Sequence, residues 1–425
     1  MQFRLYKKNN ITSAVASRVL YKALFMMYKV HILPFCFSYC TTLRISKQGK
    51  KNSKGGNEHM RKFTRVMFAV ALVLVLGTMA FAAPKIGIMT GTVSQGEEEY
   101  RAGEEMVAKY GEDRVIHVTY PDKFMDEQET TISQVMAMAS DPELMAIVIC
   151  QGVPGTAAAI DKVREVRDDI LFIIGTVHEE PYMMAGKADI LYEIDQPTRG
   201  TSIVEKAKEM GAKTFIHYSF PRHMSYPLLA KRREIMEETC KKIGLEFVFV
   251  NAPDPTGEGG VAGAQQFILE DAPRQVEKFG PDTAFFSTNC SMQEPLIKSV
   301  VKGKAIYPEQ CCPSPFHALP NALGLKVENK GDVPYILKAI EEKVVELGME
   351  GRIATWTAPI TMNFIRAGAE YAMDFANGKF ENKQDIERAK FTLEKAAGAI
   401  RIRPFDEEKA PNFLMVVGES IIFGK

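Results

Sequence analysis

Lys85–Tyr100 reads KIGIMTGTVSQGEEEY, and this stretch decides the fold. Ile86, Ile88 and Met89 form a short apolar run with the composition of a strand buried on both faces. Thr90-Gly91-Thr92 follows, small residues at which the chain turns sharply. Ser94 and Glu97 then stand at capping-box spacing, so a helix is expected over 96–110 with Ser94 as its N-cap. Strand, turn and helix make one βα unit. Ligands of open parallel sheets bind beyond the carboxyl ends of the strands, near helix N-termini.

Downstream the unit repeats. Buried-strand runs are read at 114–119, 145–150, 170–175, 188–194, 213–219, 245–250 and 283–289. Between them lie helical spacings at 127–140, 156–167, 198–210, 228–243, 261–279 and 293–302. Strands alternating with helices of this length predict an α/β protein with parallel sheets. From Pro84 to Lys425 there are 342 residues, more than one small core accommodates and suited to two lobes. The expected division is lobe one over 84–197 and lobe two over 198–330. Residues 331–425 are expected to carry returning helices (333–347, 363–378) and strands (400–402, 413–417) that span the hinge.

Upstream, Met60-Arg-Lys-Phe-Thr-Arg65 is a basic n-region, Val66–Leu76 an apolar h-region and Ala80-Phe-Ala82 a small-residue cleavage signal. An export signal over 60–83, cut near Ala82 or Ala83, is expected, and with it a periplasmic location. Residues 1–59 read as a mis-called N-terminal extension. Residues 1–83 hold 14 of the 53 Lys and Arg and one of the 53 Asp and Glu, which leaves 39 against 52, a net charge of −13. So acidic a remainder has no electrostatic footprint for nucleic acid.

Beyond residue 83 the cysteines are Cys150, Cys240, Cys290, Cys311 and Cys312. An odd number argues against a dense disulfide framework, and the Cys311-Cys312 pair reads as two buried thiols. The histidines are scattered with no usual metal spacing, so neither metal nor cofactor is expected.

Three stretches carry a family resemblance. They are the export signal running into KIGIMTG and the helix EEYRAGEEMVAKYG, the run from Lys213 to Asp254, and FIRAGAEYAMDFANG at Phe364–Gly378. In these the chain resembles the type I periplasmic binding proteins. It is most similar to a bacterial family of candidate substrate-binding proteins described only as a domain of unknown function. The resemblance implies two Rossmann-like lobes with parallel sheets, closing by a hinge on a small polar ligand. It also implies an ABC permease as partner.

On that reading the strand-end loops line the cleft. Lobe one contributes Thr90, Gly91, Thr92, Ser94, Gln151, Gly152, His178 and Glu179. Lobe two contributes Ser219, His223, Asp254, Ser287, Thr288, Asn289 and Gln310. Trp356, the single tryptophan, reads as a buried anchor beside the hinge. The expected function is solute capture for an importer, without catalysis. Two alternatives are a ligand-presenting sensor component and a cofactor-independent racemase with Cys150 and Cys290 as opposed thiols.

Overall fold

A computed structural model describes residues 83–326 and 331–425. The expected export signal, apart from Ala83, and the segment before it lie outside these residues. Among the described residues no helix is long and apolar enough to cross a membrane.

The chain opens as β1 (Lys85–Thr90), α1 (Val93–Tyr110), β2 (Val115–Thr119), α2 (Gln128–Ala139) and β3 (Leu144–Gly152). It continues through α3 (Thr156–Val166), β4 (Leu171–Val177), α4 (Pro181–Lys187) and β5 (Ile190–Ile194). Next come α5 (Gln196–Glu209), β6 (Thr214–Ser219), α6 (Pro221–Met224), α7 (Pro227–Ile243), β7 (Glu246–Asn251) and α8 (Gly260–Phe279). Then β8 (Thr283–Ser287), α9 (Gln293–Gly303), α10 (Leu319–Ala322), α11 (Val333–Glu346) and β9 (Ala354–Trp356) follow. The chain closes with α12 (Ile360–Ala376), α13 (Ile386–Ala397), β10 (Ile400–Asp406), β11 (Ala410–Gly418) and β12 (Ser420–Ile422).

Seven strands form the first sheet, in the order β10-β11-β5-β4-β3-β1-β2, parallel throughout except for the β10–β11 pair. Period-two alternation divides its strands between two cores. Ile86, Ile88, Val148 and Ile173 pack on one face with Phe364 and Ile365 of α12, and Met89, Ile147, Ile149 and Ile174 pack on the other with α2 and α3. Both faces are covered, which is why these strands read as unbroken apolar runs. The second sheet has the order β7-β6-β8, all parallel, and single bridges at Ile306 and Tyr307 connect it toward the antiparallel pair β9–β12. It too has a core on each face.

The chain passes between the sheets three times, after β5, between β9 and α12, and between β11 and β12. At these crossings sits a buried polar knot. Arg199 Nε donates to Glu309 Oε1 at 2.7 Å, and its other nitrogens donate to the carbonyls of Gln310 and Cys311. Trp356, 2 % exposed, donates Nε1 to Glu309 Oε2 at 2.6 Å, so it is a buried anchor.

The expected capping box at Ser94 does not form. The helix starts at Val93 behind Thr92, with no side-chain cap, and the backbone leaves helical geometry at Gly96. Asp122 is the reason: Ser94 Oγ donates to its carboxylate at 2.7 Å and Thr92 Oγ1 does the same, which takes both hydroxyls away from the helix end.

Gly200, in α5, lets α7 pack at close range. A Cβ there would lie 2.7 Å from Ile235 Cβ and 2.9 Å from the Arg232 carbonyl oxygen. Neither atom is the flexible end of a side chain. Gly200→Ala is therefore expected to lower stability by about 1–3 kcal/mol, the usual effect of overpacking, as measured by urea denaturation of the full chain.

Candidate functional site

The carboxyl ends of the strands in both sheets face a common cleft, and two cavities open in it. The smaller, of about 50 Å³, is lined by Gln151, His178 and Glu179 beyond the first sheet and by His223, Tyr226, Asn289 and three cysteines beyond the second. The larger, of about 580 Å³, lies between Ser94–Glu98 and Arg101 of α1 and a wall formed by Gln265, Ser291, Phe316 and His317. Gln95 and Cys290 border both.

Side chains meet across this cleft. The His178 and Tyr226 rings stack with centroids 5.2 Å apart, Arg222 lies over Phe124 at 5.5 Å, and His317 Nδ1 approaches Glu98 Oε1 at 3.3 Å. His223 is 6 % exposed, and its Nδ1 donates to the Thr288 carbonyl at 2.8 Å, which fixes the tautomer and leaves Nε2 as an acceptor. Burial holds both rings neutral, with His178 pushed down to about 3 and His223 to about 4.

Glu99, 1 % exposed on α1, accepts from Gln151 Nε2 at 3.1 Å and has a second oxygen without a partner. Burial, opposed by that hydrogen bond, raises its carboxyl to about 8, so it stays protonated at neutral pH. Glu193, beneath the smaller cavity, is raised to about 7 by burial although it accepts from the Val177 and Ile194 backbone. Glu179 accepts from Gly155 N and Ala157 N (3.4 and 2.8 Å), so its charge sits at the N-terminus of α3.

Six of the residues expected from strand-end position border the cavities: Gln151, His178, Glu179, His223 and Asn289 the smaller, Ser94 the larger. The others stand outside both linings and, apart from Ser219, are engaged within the frame. Thr90 Oγ1 bonds His117 Nε2, Thr92 turns to Asp122, and Gly91 and Gly152 lie against Tyr120 and Ile174. Ser219 is buried with its hydroxyl unpartnered, while Asp254 forms a two-bond ion pair with Arg222. Ser287 accepts from Gln293 Nε2, Thr288 Oγ1 accepts from Arg232, and the Gln310 amide spans Thr355 and the Ser314 carbonyl.

Strand-end reading paired Cys290 with Cys150 and left Cys311-Cys312 as two buried thiols. Cys290 opens a short turn after β8, and Cys311-Cys312 follows Ile306, which bridges Ala284 of β8, and Tyr307, which bridges Ile353. The fold brings Cys290, Cys311 and Cys312 together with all three sulfurs within 4.8 Å of one another, where the sequence spacing showed no metal-binding set. Cys290 and Cys312 Sγ are 3.3 Å apart. Hydrogen bonds from the other two thiols hold Cys311 well below the ordinary thiol range, and the charges of Arg232 and Arg199 act in the same direction. A hydrogen bond to Cys311 raises Cys290, and hydrogen bonds to Cys290 and Cys311 raise Cys312.

Cys150 is not part of this group. It is 1 % exposed, a residue of β3 itself that faces the core, touches Gly175, and lines neither cavity. The opposed Cys150–Cys290 pair that a racemase requires is not assembled at the cleft; Cys290 is instead partnered by Cys312.

Two covered parallel sheets, three crossings and a cleft at the strand ends define a type I periplasmic-binding-protein fold. Residues 84–354 match DUF3798, described as a protein of unknown function, and the chain belongs to that family. Two uncharacterized proteins of Treponema pallidum (strain Nichols) are related to it. One is 41% identical over 187 residues, 43% of this chain and 85% of its own. The second is 32% identical over 219 residues, 52% of this chain and 100% of its own. Among solved structures, a candidate transcriptional regulator from Clostridium difficile 630 has a TM-score of 0.66 at 28% identity, covering 80% of this chain and 99% of that one. The substrate-binding protein of a sugar ABC transport system from Bordetella parapertussis 12822 has a TM-score of 0.51 at 11% identity, covering 81% and 90%, a likeness of fold.

Proposed function

We propose that this chain is a periplasmic solute-binding protein that captures a small polar ligand between its two lobes and delivers it to an ABC-type importer. Lobe one is the first sheet with its helices, and lobe two the second. The observation that carries the reading is the cleft itself, bordered from both lobes and holding a cavity of about 580 Å³, within the usual range for small-molecule sites. Its walls mix apolar side chains with a few converging polar groups, among them Gln95, Arg101, Gln265 and His317. The export signal at 60–83 and the acidic mature chain agree with a periplasmic carrier. The permease is the partner that this role requires.

Calorimetric titration of the full chain with sugars, polyols, nucleosides, amino acids and organic acids tests the proposal. Binding of one class is the expected result, with a negative heat-capacity change from apolar burial. No heat from any class would contradict capture of an organic solute in the larger cavity.

A further inference from the structure

The smaller cavity has a chemistry that solute capture in general does not explain. At about 50 Å³ it has room for about two water molecules, far less than a sugar requires. Three sulfurs lie along its wall, all within 4.8 Å of one another. Thiolates around a tetrahedral metal at about 2.3 Å stand about 3.8 Å apart, so sulfurs already this close reach one ion with small movements.

Behind them lies a charge that lacks a carboxylate. Arg232 is fully buried, donates to Gln196 Oε1 at 2.5 Å and Thr288 Oγ1 at 2.8 Å, and leaves Nε without a hydrogen-bond partner. Among the described residues no carboxylate forms an ion pair with it, whereas the neighbouring Arg199 is neutralised by Glu309. A buried cation without a counter-charge is costly. Arg232 and Arg199 share Gln196 Oε1 as acceptor, and Arg199 also donates to the Cys311 carbonyl, which places this uncompensated cation behind the thiols.

We propose that Cys290, Cys311 and Cys312 form a three-thiolate site for a soft divalent cation of the zinc class. Charge selects the valence. Three thiolates around a divalent ion carry one net negative charge, which Arg232 balances; a monovalent ion would leave two. Thiolate sulfur selects soft or borderline metals over magnesium and calcium. Binding exchanges thiol protons for the metal with no change of oxidation state, and the protons leave to solvent. The fourth position opens on the cavity, which His223 also borders with Nε2 as its free acceptor. If the ion is the cargo, the site rests on the solute-capture reading and names its substrate class.

Zinc titration of the full chain, purified without oxygen, is the test. One tightly bound zinc is expected, shielding Cys290, Cys311 and Cys312 of the seven cysteines from alkylation. Cys311→Ser is expected to weaken binding by more than about a hundredfold and Arg232→Leu by about ten- to a hundredfold, as when a partner behind the ligands is lost. Cys240→Ser, which alters a buried thiol on α7 away from the site, keeps full affinity and serves as the folding control. Zinc binding that survives Cys311→Ser, or a native Cys290–Cys312 disulfide without zinc, overturns the proposal. An organic solute in the larger cavity with no zinc bound overturns this site and leaves solute capture standing. Zinc bound without any change in the chain's dimensions by small-angle scattering supports the site and removes capture by closure.

Discussion

Arg199→Met is expected to destabilise the full chain by about 3–5 kcal/mol, the usual range when one partner of a buried ion pair is removed. Arg199 has no exposed surface and Glu309 is 3 % exposed, so water cannot replace the lost partner. The substitution strands a buried carboxylate and also takes donors from the Gln310 and Cys311 carbonyls. Lys is a poor substitute because a single ammonium cannot match the planar fork that reaches four acceptors. Urea denaturation gives the first number, and a double-mutant cycle with Glu309→Gln gives the second. The double mutant should lose less than the sum of the single mutants, with a coupling of about 0.5–3 kcal/mol. A loss below about 1 kcal/mol for Arg199→Met, the level of an exposed ion pair, would mean that the knot does not hold the crossings together.

The second large effect is a pH dependence carried by Glu99. Its carboxyl is raised from 4.5 to about 8 in the fold, so the folded state holds its proton more tightly than the unfolded chain does. The resulting stability is complete below 4.5 and disappears as pH rises through about 8. Within that window Glu99 should cost the protein about 1.4 kcal/mol of stability per pH unit. Burial raises it most; against that Gln151 at the end of β3 lowers it, Glu98 on its own helix raises it, and His317 across the cleft and Thr361 on α12 lower it. Glu99→Gln keeps the neutral shape and a hydrogen-bonding group while removing the titration. The difference in unfolding free energy between variant and parent, followed from about pH 5 to about pH 8, should therefore grow in the variant's favour by several kcal/mol. A difference that stays constant over that range would show Glu99 to be ionised, with the cleft wetter than this geometry allows.

Strands were the most legible part of the sequence. Ile147, Ile149, Ile173 and Ile174 are covered from both faces, so their segments are apolar without interruption, and the loops that follow them fall at the cleft by topology alone. That rule reaches Gln151, His178, Glu179, His223 and Asn289. It does not reach Tyr226, which stands seven residues beyond β6 and enters the cleft by stacking on His178. Nor could it separate residues that border a cavity from those, such as Thr288 and Gln310, whose polar atoms are taken up by Arg232, Thr355 and Ser314. Ser94 failed as a cap for a similar reason: local spacing cannot anticipate a carboxylate 28 residues away. The thiol group was hidden by distance, because Cys290 and Cys312 are 22 residues apart and meet only once the sheet is assembled. A reading that followed strand ends within one sheet, rather than ligand spacing along the chain, would have found them.

The most direct measurement is to isolate the full chain from cells without oxygen, denature it, and analyse what is released by organic and elemental mass spectrometry. A stoichiometric small solute, organic or metallic, is the predicted result, since a cleft contacted from both lobes retains what it encloses. A chain that releases nothing stoichiometric, and gives the same blank after incubation with cell extract, would contradict capture between the lobes.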